Sequence, residues 1–185
     1  MEEDRLRALQ PGHFGQCATM MHFKSIFMSA TVALLRRPTD PFAEQSGDVD
    51  SEETIRAQKP VAAIITDFIH AWNTHDAEAL ARVFTEDGDF VGIGGTRWHG
   101  HAQIERVHAE LFAGRYDHSV FAVVGTPSIA FIKLDVALVN WYWIISDVRN
   151  TDGTLMDPCR GIFMWVVLNR YGAWRVRAAQ NTLTK

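Results

Sequence analysis

Cysteine is nearly absent: the 185 residues hold only Cys17 and Cys159, with no CxxC spacing and no second pair. That excludes a disulfide-built scaffold. Basic charge is also thin, 18 Lys and Arg against 22 Asp and Glu for a net charge of -4, and no basic run is dense enough to neutralise several phosphates. Neither nucleic acid nor an anionic membrane is an expected partner. The longest early apolar run, Ile26 to Leu35, is half the roughly twenty residues that a membrane span needs. Read from Met20 or Met21, with Lys24 ahead of it, the run loosely mimics a signal peptide. Arg36-Arg37 follow it and no small-x-small cleavage site does, so the expected location is cytoplasmic. No internal repeat occurs, and neither "GIGG" nor "GTRWHG" has the spacing or the strand-to-helix context of a nucleotide loop.

What is present divides near Ser51. Before it the chain changes character repeatedly and ends in "RRPTDPFAEQSGDVDSEE", a linker composition, so residues 1–50 are expected to be a flexible tail and 51–185 the folded domain. Ser51 followed by Glu52 and Glu53 reads as a helix N-cap with acids on the positive end of the dipole. Ile55, Val61, Ile65, Phe68 and Trp72 then recur at helical spacing, with Pro60 inside the pattern as either a first-turn residue or a kink. Asn73-Thr74-His75 ends that helix, and Asp76 can cap a second, "AEALARVFT". After the acidic turn Gly88-Asp89 a strand runs through Phe90, Val91 and Ile93 to a glycine-rich turn. A third helix carries Ile104, Val107, His108, Leu111 and Phe112 on one side.

Past Gly114 the pattern is strand throughout: "HSVFAVVG", "SIAFIKL", "VALVNWYWIIS", "RGIFMWVVLN" and "AWRVRAAQNT". Turns are expected at Asn150-Thr151-Asp152-Gly153 and Asn169-Arg170-Tyr171-Gly172. Helices followed by antiparallel strands give an α+β fold: three helices on one face of a curved, mostly antiparallel sheet. Because the segment from Val136 to Ile144 is apolar on both alternations, both sheet faces need cover. A second copy of the chain on the outer face, a homodimer, is the expected solution.

The segments "AAIITDFIHAWNTHDAEALARVFTEDGDFVGIGG", "WHGHAQIERVHAELF" and "GAWRVRAAQNT" resemble the SnoaL-like branch of the nuclear-transport-factor-2-like superfamily, particularly its SgcJ/EcaC group. The resemblance covers roughly residues 53–184 and none of the first fifty. It implies a cone-shaped half-barrel of cystatin-like arrangement, with an apolar cavity between helices and sheet, usually dimeric and usually without metal or organic cofactor. Members act as isomerases, polyketide cyclases, dehydratases or hydrolases, or bind ligands or partners. The tyrosine and aspartate of the ketosteroid isomerases in this superfamily fall here on Phe68 and Gly92, so that activity is not carried over.

Among titratable residues His108 is the preferred acid/base candidate, because an imidazole titrates near neutrality and it shares a face with Ile104, Val107, Leu111 and Phe112. The bland alternative is a core histidine bonded to backbone. His99-Gly100-His101 lacks the carboxylate or cysteine support of a metal pair, so no metal site is expected. Trp72, Trp98, Trp143 and Phe112 are candidate ligand walls, although core packing is the usual fate of large aromatics. On the last strand, alternation places Trp174, Val176, Ala178 and Gln180 on one face; if that face is inward, Gln180 is the carbonyl or oxyanion partner and Asn181 lies at the rim. Arg160 and Asp147 are a possible ion pair. Two functions stay open: a domain binding an apolar or aromatic small molecule, and a cofactor-independent acid/base enzyme acting on an apolar carbonyl compound, with a pH limb near neutrality.

Overall fold

A computed structural model describes residues 52–184, except for the side chains of residues 53–55. The expected tail, the Ser51 cap, Cys17 and the side chain of Ile55 lie outside the described residues. Helix α1 (Glu52–Asn73) is followed by α2 (Ala77–Arg82), β1 (Phe84–Val91), β2 (Arg97–His99), α3 (His101–Phe112) and β3 (Val120–Lys133). Strands β4 (Val136–Ser146), β5 (Cys159–Arg170) and β6 (Ala173–Leu183) complete the fold. The six strands form one open sheet in the order β2-β1-β6-β5-β4-β3, antiparallel except for the parallel β1–β6 pair. The result is the expected α+β half-barrel. No helix among the described residues is long and apolar enough to cross a membrane.

Helix α1 runs through Pro60 without a break and buries Val61, Ile64, Ile65, Phe68, Ala71 and Trp72. That stripe at three- and four-residue spacing lies against the concave sheet face. Phe68 is 0% exposed, and its ring lies 5.5 to 5.9 Å from those of Phe121, Trp141, Phe163 and Trp165, on three different strands. Two side-chain amides fix the helix along β3. Gln58 Nε2 donates to the Ile129 carbonyl at 3.1 Å, while Asn73 donates to the Phe121 carbonyl at 3.0 Å and accepts from the Phe121 N–H at 2.7 Å. Asn73 thereby acts as a substitute strand partner at the helix end.

The helical corner forms as read. His75 adopts the left-handed region at φ 54°, and Asp76 caps α2 through Oδ1, which accepts from Ala79 N at 2.8 Å. The second helix is shorter than its pattern predicts. It stops at Arg82 because the Val83 carbonyl is taken by Val176 N–H at 3.0 Å and Phe84 pairs with Val176, so β1 begins before the acidic turn and contains it as an irregularity. "HSVFAVVG" and "SIAFIKL" are also one strand, β3, interrupted at Gly125 (φ 72°) where its register to β4 shifts. Tyr171 (φ 56°) and Gly172 (φ 82°) join β5 to β6 in a two-residue turn with both residues left-handed, the geometry that matches strand twist. Asn150-Gly153 turns as expected, but inside a longer loop between β4 and β5.

One irregularity decides what faces inward on β6. Val167 pairs with Val176 but Val166 with Ala178, so Arg177 is an extra residue and the alternation reverses there. The bulged Arg177 reaches Asp89 at 3.0 Å and Asp87 at 3.5 Å. Arg97 and His99 also approach Asp89, at 2.6 and 2.9 Å. Burial raises the Asp89 pKa, but the bonds from His99 and Arg177 and the Arg97 charge outweigh that and hold the carboxyl below its usual value.

Replacing Phe68 with alanine leaves a hole bounded by rings from helix and sheet that cannot all move together. Chemical denaturation of Phe68→Ala is expected to show a loss of about 3–5 kcal/mol, the usual range for a buried phenylalanine. A loss under about 1 kcal/mol would mean that the helix is not anchored through this ring.

Candidate functional site at the wide end of the cone

Directly opposed strand residues share a sheet face, which traces the inner wall. Its rows are Trp141–Phe163–Asn181 and, one step outward, Val123–Trp143–Gly161–Leu183. Trp141 and Phe163 are sealed at 1% exposure each, whereas Val123 and Leu183 keep 40% each. The inner wall is therefore sealed along Trp141–Phe163 and again at Phe121 and Ile145, 3% and 6% exposed, with partly exposed apolar side chains at the two ends of the row between. Trp98 belongs to the same rim, paired with Phe90 across β1 and β2 and half-buried.

Trp143 lies flat over Gly161: a Cβ on that glycine would come within 2.1 Å of the indole Cζ2. Glycine is required there to admit the ring. The indole Nε1 donates to Asn181 Oδ1 at 2.9 Å. Because an indole N–H can only donate, this bond fixes the amide with its oxygen on Trp143 and its NH₂ available, and Nδ2 has no hydrogen-bond partner among the described residues.

On the opposite wall, α3 presents His108, 1% exposed, in ring contact with Phe90 at 5.1 Å, Trp72 at 5.9 Å and Phe112 at 6.2 Å. Its Nδ1 lies 2.7 Å from the Ile104 carbonyl, an acceptor, so Nδ1 carries the proton and Nε2 the lone pair. Burial depresses the His108 pKa to about 4, against the opposite pull of the Ile104 bond. The side chain is neutral at neutral pH. The expected titration near neutrality is thus overturned: the ring is buried with no charged partner to hold the proton. Sealed polar atoms without a partner among the described residues are His75 Nε2, Thr85 Oγ1, Trp141 Nε1 and Trp165 Nε1. His108 Nε2 has no hydrogen bond among the described residues.

Trp72, Phe112 and His108 form one cluster, in which Trp72 also donates to Ser119 Oγ at 3.0 Å. Trp98 joins through Phe90 at 5.8 Å. It also fills the space beside Gly92, where a Cβ would meet its Cζ3 at 2.8 Å. Trp143 and Asn181 join through Phe163, which lies 6.3 Å from Trp143 and 6.1 Å from Phe90. Gln180 does not join. The bulge at Arg177 turns it to the outer face, exposed, where its amide donates to its neighbour's carbonyl at 3.2 Å, and Asn181 takes the inward direction expected of Gln180. Phe90, Phe163 and Gly161 were not singled out as site positions, although the glycine in an apolar strand was a sign of close approach.

The remaining polar groups weighed in the sequence make structural contacts. His99 bonds Asp89, and His101 Nε2 donates to the Phe84 carbonyl at 2.8 Å. No group of three or more His, Cys, Asp or Glu among the described residues is placed to hold a metal. Asp147 accepts from Ser146 Oγ at 2.7 Å, and no Asp147–Arg160 ion pair forms among the described residues.

Comparison with known proteins agrees with this architecture. A cystatin-like-fold protein of Caulobacter vibrioides, uncharacterised, superposes with a TM-score of 0.64 at 25% identity, over 70% of this chain and 91% of that one. A candidate scytalone dehydratase from Novosphingobium aromaticivorans gives 0.61 at 15% identity over 71% and 86%, and a type 2 hexachlorocyclohexane dehydrochlorinase 0.64 at 10% over 71% and 87%. The last two show the fold alone. No curated protein matches the sequence. The SnoaL-like domain model matches residues 65–173, more than half of the chain, and the protein belongs to that family.

The sign of the His108 effect on stability follows from its lowered pKa. Between about pH 6.5 and 4 the unfolded chain binds a proton at this residue and the folded one does not, so stability is lost as pH falls through that window. The loss attributable to His108 is on the order of 3 kcal/mol. Denaturation of the native protein and of His108→Leu at pH 7 and 4.5 should show a distinctly smaller pH dependence in the variant; equal slopes would mean that His108 is protonated in the fold.

Proposed function

We propose that this SnoaL-like domain binds an apolar or aromatic small molecule at the wide end of its cone. The observation that carries this reading is the inward-facing, 40%-exposed pair Val123 and Leu183 flanking Trp143, which holds the Asn181 amide with its Nδ2 unpartnered among the described residues. Apolar walls with few oriented polar groups suit ligand capture. The segments quoted from the sequence also favour placement in the SgcJ/EcaC group of the family. A thermal-shift screen against planar aromatic carbonyl compounds is expected to give stabilisation by one class. Val123→Arg, which puts a charge in the mouth and leaves the sealed core untouched, should abolish it. A shift that survives in Val123→Arg would place the ligand elsewhere.

The second reading is a cofactor-independent acid/base enzyme of cyclase, isomerase or dehydratase type, favoured by one feature, the neutral His108 with its lone pair on Nε2. The solved structures that share the fold include ones named for dehydration and dehydrochlorination. With a pKa of about 4, His108 would act as a base across neutral pH and its acid limb would fall near pH 4.

The outer sheet face completes the proposal. Tyr142, Met164 and Val120 project from it at 53%, 48% and 49% exposure. A second copy related by a two-fold axis presents the same row and covers it. Sedimentation should show a dimer that Met164→Lys dissociates; a native monomer would remove this part.

A further inference from the structure

We infer that the loop between β4 and β5, residues 147–158, is a lid over the last row of the inner wall, latched by Arg115 and hinged at Asp147. Lifting it adds one apolar row to the site proposed above. That role rests on the binding reading, whereas the lid itself can be tested with no ligand present.

A wall that ends in solvent grows more exposed toward its last row, and this one does not. Val123 and Leu183 keep 40% exposure, yet Ile145, one row farther out and paired with Phe121 and Cys159, keeps 6%. Helix α1 covers Phe121 through the rings of Phe68 and Trp72. At Ile145 the cover is the loop: buried Val148 and half-buried Met156, with Tyr116, pack against the apolar cluster that holds Ile145. Burial under this cover raises the Tyr116 phenol above its ordinary pKa, against the nearby Arg115 charge.

The fastening centres on Arg115, just past α3. Arg149 N–H donates to the Arg115 carbonyl at 3.0 Å, Arg115 Nε returns a bond to the Arg149 carbonyl at 2.7 Å, and Arg115 Nη2 donates to Met156 Sδ at 2.8 Å. One residue thus grips both arms of the loop. The arms are joined to each other by the Arg149–Leu155 bridge and by Met156 N–H, which donates to the Val148 carbonyl at 2.8 Å, so they move as one unit. Arg149 also lies 3.8 Å from Asp117, an exposed pair that adds little.

The hinge is set by local backbone chemistry. Asp147 leaves β4 at φ 60°, in the left-handed region that aspartate tolerates better than most residues but still at a cost. At the other end Pro158 fixes its own φ and restricts Asp157, which concentrates rotation at Asp147. A unit bonded within itself, gripped by one side chain and strained where it leaves the sheet is built to turn as a flap. Arg115 is its positioning residue.

Thiol labelling of the full chain tests this. In a Cys17→Ser, Cys159→Ser background, Ile145→Cys reports the wall under the lid, and Val139→Cys, at a position 0% exposed deeper in the same strand, reports opening of the whole fold. With iodoacetamide, position 145 should react faster than position 139. Arg115→Ala removes both side-chain bonds of the latch, and Asp147→Val places a branched residue where φ is positive. Each should speed labelling at position 145 roughly tenfold and leave position 139 unchanged. Equal rates at the two positions in the native loop, or a rise at both with either variant, would overturn the lid, since a merely structural Arg115 moves both together. No rise at position 145 with one variant overturns the latch or the hinge that it removes.

Discussion

The ring of Phe68 is the central contact between helix α1 and the sheet. A curved sheet presents a concave face that no single strand can fill, and one ring reaching three strands and its own helix ties the curvature to the lid. The aromatic contacts are mostly edge-to-face or tilted, so each ring's positive edge meets a neighbour's negative face and the cluster has directional preference as well as buried area. Everything nearer the mouth inherits its position from this centre. Phe163 belongs both to the cluster and to the wall beside Asn181, so a disturbance at Phe68 reaches the site through one intervening ring.

The polar groups at the wide end illustrate how a neutral site acquires orientation. Burial outweighs the opposite pull of the Ile104 carbonyl and keeps His108 neutral at neutral pH. The tautomer is decided by a backbone carbonyl one helical turn away and the amide by an indole two strands away, reaching across β5 at Gly161. Such settings cost little in desolvation because nothing ionised is enclosed, unlike a buried ion pair. The charges that the chain does carry near the sheet, Asp87, Asp89, Arg97 and Arg177, gather at the β1–β6 seam on the outer face, where solvent reaches them.

Much of the fold was legible because the hydrophobic period changes cleanly from helical to alternating after Gly114, and because Asp76 and the Tyr171-Gly172 turn carry their local chemistry in the sequence. His108, Trp72, Phe112, Trp98 and Trp143 were legible as candidate wall residues, whereas strict alternation put Asn181 on the face opposite Gln180, at the rim. The outward direction of Gln180 was not legible, since strict alternation has no way to signal one extra residue in a strand, and the cause of that bulge, Arg177 meeting Asp87 and Asp89, spans about ninety residues of sequence. The short second helix escaped for a related reason: the parallel pairing of Phe84 with Val176 is a tertiary contact that overrides a good helical pattern.

The strand order has a consequence for how the chain comes together in time. β6 lies between β1 and β5, so the hairpin made early, β1 with β2, and the later meander of β3 to β5 share no strand-to-strand hydrogen bond until β6 has left the ribosome. Two half-sheets wait with open edges, and the last strand to be made is the seam that joins them. Assembly is thereby postponed until translation has passed β6, and the helices that bind the early half to the nascent β3 serve until then as its temporary scaffold.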